Sequence, residues 1–243
     1  MSQAINYDAL FSGVIGKDYE MLKLICPLMT EMSRLVGQTV ALYPSQPDKL
    51  KLVELGGGTG ITTLSLLSAR EDLNIVSIDN EPTMQNQAKQ NLHTWHESGR
   101  LAFSGNDALT ALQAIPSASV DIIASAYTLH NFLDQYRQAV IGECFRVLKS
   151  GGQFINGDRY GLDDLNKHTR IIQEEVAGYF RVLTGINRLD LLEHWIVHLF
   201  SDESENHVMR EAIALQQLQA VGFTDITLTN RMEVNALLTA VKP

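Results

Sequence analysis

A chain of 243 residues that is 45% hydrophobic and 19% charged is ordinary globular material, enough to bury one sizeable core. No apolar run approaches the ~18 residues of a membrane helix, and the start, MSQAINYDAL, lacks the basic and apolar regions of a secretory signal, so a cytoplasmic protein with no membrane partner is expected. The net charge of -9 disfavours nucleic-acid partners, and the two cysteines, Cys26 and Cys144, stand too far apart for a disulfide framework or a cysteine zinc site.

In chain order, residues 5–42 carry helical periodicity, with Leu22, Leu24, Ile25, Met29, Met32 and Leu35 near a 3.6 period, and YPSQPDK ends the run. From residue 49 strands and helices alternate: KLVEL, a helix over 61–70, NIVSID, a helix over 82–96, RLAFSGND, a short helix over 109–114, VDIIASA, a helix over 134–148, and QFINGDR. That alternation predicts a parallel sheet covered on both faces, the doubly wound α/β class. A helix-rich stretch over 162–199 and a helix over 205–221 follow. The end, GFTDITLTNRMEVNALLTAVKP, holds two strands close enough to pair, so the sheet is expected to finish on an antiparallel strand.

Glu54-Leu55-Gly56-Gly57-Gly58-Thr59-Gly60 falls between a strand and a helix, where missing side chains let backbone N–H groups approach a ligand. Such a turn alone serves NAD, FAD or tight packing equally well. Asp79 and Asp107 close the next two strands, and strand ends on one sheet edge converge on one crevice. Glu54, Asp79 and Asp107 are therefore expected to line one pocket, although each alone also reads as a helix N-cap. A carboxylate in the position of Asp79 accepts the hydroxyls of a ribose. Asp107 is suited to the exocyclic amine of an adenine, with Met84 and Ala108 as apolar faces. Ile61 stands where the dinucleotide fingerprint requires glycine, and Glu54 would repel a pyrophosphate but could hold a cationic amino group. A compact sulfonium cofactor fits better.

KLVELGGGTG, VSIDNEPTM, SGNDAL, VDIIASAYTLHNF and FRVLKSGGQFI together resemble the successive motifs of class I S-adenosylmethionine-dependent methyltransferases, over about residues 49–157 and the closing strands. The resemblance implies a Rossmann-like, doubly wound, mostly parallel seven-stranded sheet with an antiparallel C-terminal strand and a helical cap. It implies S-adenosylmethionine as cofactor and methyl transfer to a small-molecule acceptor. Gly56, Gly57, Gly58, Gly60 and Glu54 would hold the methionine part, Asp79 with Asn80 the ribose, and Asp107 with Asn106 and Ala108 the adenine. Ser125, Ala126 and Tyr127 would flank the methionine moiety and face the acceptor. The expected division is an N-terminal helical lid segment over 1–48, a Rossmann-like core over 49–160, a helical cap over 161–204, and a closing helix and hairpin over 205–243.

More loosely, IDNEPTM, AYTLHNF, GDRYGLDD and the GF before the hairpin are similar to carboxy-S-adenosylmethionine synthases, a likeness that would put Tyr19 over the cofactor. Those synthases hold a carboxylate with arginine, and Leu191-Leu192-Glu193-His194-Trp195 offers none at the similar place. Methyl donation is favoured on that ground, with a synthase and an NAD-type oxidoreductase as the alternatives.

Methyl transfer is an in-line displacement in which positioning supplies much of the catalysis and a base is optional. Tyr127, His130 and Asp158 are the catalytic candidates beyond the fourth and fifth strands, with Asn131, Arg159 and Tyr160 as acceptor contacts. His130 reads equally as a helix-start imidazole bonded to backbone, and Asp158–Arg159 as a surface pair. In the cap, His194 and His198 at i, i+4 share a helix face near Glu193 and His207. No motif fixes a third ligand, so acceptor contacts and no metal are expected there. The cap and N-terminal helices are expected to act as a mobile lid, and a homodimer is left open.

Overall fold

The five segments of alternating apolar sequence become β1 (Leu50–Leu55), β2 (Leu73–Ile78), β3 (Leu101–Ser104), β4 (Val120–Ala126) and β5 (Leu148–Arg159), all mutually parallel. The closing hairpin, β6 (Thr224–Met232) and β7 (Asn235–Val241), adds to β5 through β7, which runs antiparallel to it. The order is β3-β2-β1-β4-β5-β7-β6. The computed structural model describes residues 17–46 and 48–243; the helical expectation for residues 5–16 lies outside them. Burial explains the order: β4 is buried at every position, as a central parallel strand covered on both faces must be, whereas β6 is largely exposed and takes the edge. Strand order reverses between β1 and β4, so the crevice of this architecture lies beyond their carboxyl ends.

Alternate residues of each strand face opposite layers. On one face Leu52, Ile75 and Ile122 pack with Met32, Val36 and Val40 of α2 (Pro27–Ala41) and with Leu64 and Leu67 of α3 (Ile61–Ala69). On the other, Val53, Ile123, Phe154 and Leu238 pack with α6 (Ala108–Gln113), α7 (Asp134–Val147) and α10 (Glu211–Val221). Helices α4 (Pro82–Asn91) and α5 (His93–Glu97) divide the expected single helix over 82–96 at Leu92, whose φ of -112° and ψ of 20° leave the helical region. Leu92 is fully buried and packs toward Gly60, so its burial there accompanies the break. β3 stops at Ser104, short of Asp107, and α10 begins at Glu211, leaving His207 in a turn.

The N-terminal segment differs from the expected lid. A Cβ on Gly157 of β5 would lie 3.0 Å from Val36 and 3.1 Å from Met32, so α2 is pressed onto the sheet as a core layer. Of the described N-terminal residues, α1 (Lys17–Ile25) packs Tyr19 and Leu22 on this core and meets the cap at Ile25. The cap itself is α8 (Leu165–Gly185) and α9 (Leu189–Asp202). Tyr179, Leu183, Leu192 and Leu199 form their common core, with Ile25 and Cys26 packed against it. Among the described residues, no helix is long and apolar enough to cross a membrane.

Candidate active site

Beyond β1 the chain turns through Gly56, Gly58 and Gly60 at φ of 69°, 53° and 99°, a region that strains any residue with a side chain. Space divides their roles. A Cβ on Gly56 would meet Thr128 Oγ1 at 1.9 Å and one on Gly57 would meet Ser77 Oγ at 2.0 Å, whereas one on Gly58 would meet nothing within 4 Å. Gly56 and Gly57 are therefore required by packing, and Gly58 faces open space. Asp79 lies against this turn, accepting from the Gly58 N–H at 2.7 Å and from the Glu81 N–H at 2.8 Å. Asp107 is the N-cap of α6: it accepts from the Thr110 N–H at 3.0 Å and from the Tyr136 hydroxyl at 2.8 Å. Bonds from Thr110 and then from Tyr136 pull its pKa down to about 2.

Glu54 corrects the expectation of three acids lining one pocket. It is fully buried beneath the turn, its Oε2 accepting from the Thr63 hydroxyl at 2.6 Å and its Oε1 without a partner. Desolvation raises its pKa to about 7, against the lowering effect of bonds from Thr63 and Ser77. Around the crevice Asn80 and Asn106 are exposed, Met84 is exposed, and Ala108 and Ala126 are buried. Ser125 is buried and donates to the Leu55 carbonyl at 3.2 Å. Tyr19 is buried in the core cluster that contains Ile61, with Tyr127 packed against it.

Beyond β4 and β5, at the same sheet edge, a cavity of about 420 Å³ opens between the α1–α2 junction and the cap. Ile25, Tyr127, Tyr179, Trp195 and Leu199 give it apolar walls, and His130, Arg159, His198 and Asp202 give it a polar end. Tyr127 sits at φ 50°, a strained value for an aromatic residue, held by its N–H on the Gly157 carbonyl at 3.0 Å and its hydroxyl on Asn235. Thr128 donates to the carbonyls of Leu55 and Ala126, both at 3.1 Å. Residues 126–130 thus form one wall between the glycine turn and the cavity.

His130 is buried and its Nδ1–H donates to Asp158 Oδ1 at 2.6 Å. Asp158 is fully buried, and its Oδ2 accepts from the Leu129 N–H at 2.9 Å. Burial opposes the charge of Asp158, yet His130 and the hydrogen bonds bring its pKa below the ordinary carboxyl value. The bond to Asp158 fixes the tautomer of His130 and turns Nε2 toward Asp202, 3.8 Å away. Arg159 reaches the cavity but is paired with Glu175 at 2.8 Å and with Glu203 at 3.2 Å, so its charge is already matched.

Three expected acceptor contacts fall elsewhere. Tyr160 is buried in the core, its hydroxyl accepting from Asn156 at 2.8 Å. Asn131 is exposed and donates to the Tyr127 carbonyl at 3.2 Å, and His194 stacks on His198 at 6.4 Å without joining the cavity wall. His207 is bonded to the Ser204 hydroxyl at 2.8 Å, apart from His194 and His198. Asp202, which sequence reasoning missed, lines the cavity beside His198. The signal was present: 194, 198 and 202 are successive i, i+4 positions on one helix face.

A doubly wound sheet, a left-handed glycine turn at its switch point and an acid against that turn define a class I S-adenosylmethionine-binding fold. The chain's residues fit that cofactor: Gly58 leaves room beside the turn, and Asp79 is placed at the second strand end against it. Residues 53–156 match the family described as methyltransferase domain, and the chain is an S-adenosylmethionine-dependent methyltransferase. A carboxy-S-adenosyl-L-methionine synthase from Campylobacter lari is 21% identical over 85% of this chain and 85% of its own. A demethylmenaquinone methyltransferase from Leptospira interrogans is 33% identical over 45% of this chain and 43% of its own. Among solved structures, an O-methyltransferase family 2 protein from Planctomyces limnophilus, in complex with apigenin, superposes with a TM-score of 0.63 at 15% identity, over 100% of this chain and 63% of that one. The methyltransferase SibL superposes with a TM-score of 0.57 at 17% identity, over 87% of this chain and 55% of that one, so the chain is shorter than both and the likeness is one of fold.

Proposed function

We propose that the protein methylates a small, largely apolar or aromatic acceptor bound in the cavity between the α1–α2 junction and the cap. The observation that carries this reading is the shared wall: Thr128 packs on Gly56 of the glycine turn while Tyr127 and His130, in the same segment, line the cavity. Bound at the turn, S-adenosylmethionine would supply an electrophilic methyl group on a sulfonium sulfur. Asp79 and the open approach at Gly58 would hold the cofactor, with Asp107 and Ala108 toward its base. The aromatic walls orient the acceptor, and cover by the cap excludes water from the site. His130 activates the acceptor at the polar end, and Asp158 is a positioning residue that acts through it. The cavity lies within the ~300–1,000 Å³ usual for small-molecule sites. A net charge of -9 supports a partner other than nucleic acid and fits a cytoplasmic enzyme.

The synthase relative, similar over most of both chains, favours a second reading in which the cofactor itself is modified. Against it, Arg159 is matched by Glu175 and Glu203 and is not free to hold a further carboxylate. The test is incubation with methyl-labelled S-adenosylmethionine and a panel of phenols, aromatic acids, amines and thiols, followed by mass spectrometry. Label is expected on an acceptor, and His130→Ala should lower turnover by roughly 10²–10⁴-fold while S-adenosylhomocysteine affinity stays within twofold. A carboxylated cofactor, with no labelled acceptor, would favour the synthase reading.

A further inference from the structure

We propose that His130, His198 and Asp202 form a binding site for a first-row divalent cation, zinc or a zinc-like metal, at the polar end of the cavity. Each residue offers one ligand atom, and the three atoms lie within 4.8 Å of one another. Asp202 Oδ2 stands 3.8 Å from His130 Nε2 and 3.6 Å from His198 Nε2. These separations are too long for hydrogen bonds. They are close to the edge of a tetrahedron, about 3.4 Å, whose corners lie ~2.1 Å from a central metal. The ligands come from rigid elements: His198 and Asp202 from successive turns of α9, and His130 from the 3₁₀ turn Leu129–Asn131 after β4.

Two further observations point the same way. Asp158 accepts the Nδ1–H of His130 and leaves Nε2 free to ligate, the carboxylate–histidine–metal relay that orients imidazole ligands. Charge is also unbalanced here. Asp158, Glu175, Asp202 and Glu203 gather around one guanidinium, Arg159, which is paired with Glu175 and Glu203, the latter also held by His168 at 2.6 Å. Among the described residues Asp158 and Asp202 are ion-paired to imidazoles alone, and Asp202 is 7% exposed. A cation at this point would compensate a buried carboxylate whose two neighbouring imidazoles stand beyond hydrogen-bond distance.

All three ligands line the cavity, so a fourth position opens toward it, the arrangement of catalytic rather than structural sites. The inference rests on the acceptor-cavity reading only for what would occupy that position, an oxygen, nitrogen or sulfur of the acceptor or water, and with its Nε2 on a metal His130 would activate the acceptor through that metal and not as a base. It replaces the expectation of no metal in the cap.

Chelator-stripped full-length protein, with neither cofactor nor acceptor present, is titrated with Co²⁺ and with Zn²⁺. One equivalent of Co²⁺ should bind and show the intense visible absorption of a four-coordinate site, and Zn²⁺ should raise the melting temperature. His198→Ala and Asp202→Asn should each weaken binding by at least ~100-fold, and Asp158→Asn by roughly 10–100-fold. Because His198 is partly exposed, His198→Ala should keep its cooperative melt and its S-adenosylhomocysteine shift while losing the Zn²⁺ shift. Wild type that takes up no Co²⁺, or variants that bind as wild type does, would overturn the site. Methyl transfer by fully stripped, Co²⁺-refractory protein would overturn it while leaving the proposed function intact.

Discussion

Asp79 and Glu54, both flanking the glycine turn, show how differently two carboxylates are used. Asp79 joins the turn to the start of α4 by accepting hydrogen bonds from two backbone N–H groups and stays partly open to the crevice. Asp79→Ala should weaken S-adenosylhomocysteine binding by roughly 2–4 kcal/mol, read by titration calorimetry, since charge-assisted bonds to the ligand would go. An affinity within twofold of wild type would remove Asp79 from the site. Glu54 is sealed and its pKa is raised to about 7, so the folded state holds its proton more tightly than the unfolded chain does. Its contribution is fully present below the unfolded pKa near 4.5 and declines as pH rises through 7. Wild type should lose up to about 3 kcal/mol from this residue between pH 4.5 and 8. Glu54→Gln, which can still accept from Thr63, should abolish that component of the pH dependence in urea unfolding. Equal profiles would show the buried acid to be ionised throughout. Sequence placed both acids at strand ends facing one crevice but not at different depths, because depth depends on which way the strand's alternation falls against α3. Asp107 was readable as a helix N-cap, and it caps α6.

Among the elements, α2 and α1 share an N-terminal segment yet have different environments. α2 buries Met32, Val36 and Val40 completely, while α1 meets the cap around Ile25. Hydrogen exchange should therefore find α2 protected with or without ligand. S-adenosylhomocysteine should add protection to α1, α8 and α9 as well as to the glycine turn. Protection gained only within residues 54–108 would make the cap a static wall. Helix ends carry their own test: Gly222 closes α10 at φ 114°, and a Cβ there would lie 3.1 Å from the Phe145 ring. Gly222→Ala should cost roughly 1–2 kcal/mol of stability, measured by urea unfolding. No loss would mean that the turn relaxes into another conformation. The periodicity of sequence located β1, α3, β4 and α7 to within a residue, because each is bounded by glycine, proline or a polar cluster. It ran through Leu92 and overextended β3, where the breaks come from tertiary burial and from capping by Asp107.

At the scale of the whole molecule, ligand binding to the folded state alone should raise its melting temperature. S-adenosylhomocysteine at about 100 times its dissociation constant contributes about 2.7 kcal/mol, a shift on the order of 5–10 °C for a chain of this size. NAD at the same concentration should give none; an equal shift would contradict the reading of the glycine turn. The alternating order of strands and helices made the parallel sheet and its closing antiparallel strand legible, whereas the convergence of His130, His198 and Asp202 joins distant segments and needed the folded cap. The ends of that sheet carry a consequence for how copies of the chain can meet. β3 is four residues long, and β6 departs from regular pairing twice, with Asp225 and Asn230 at φ of 49° and 50°. A further strand added at either border would find a short template or a kinked one. Cross-chain sheet extension, the usual route to fibrillar aggregates, is thereby discouraged at both borders.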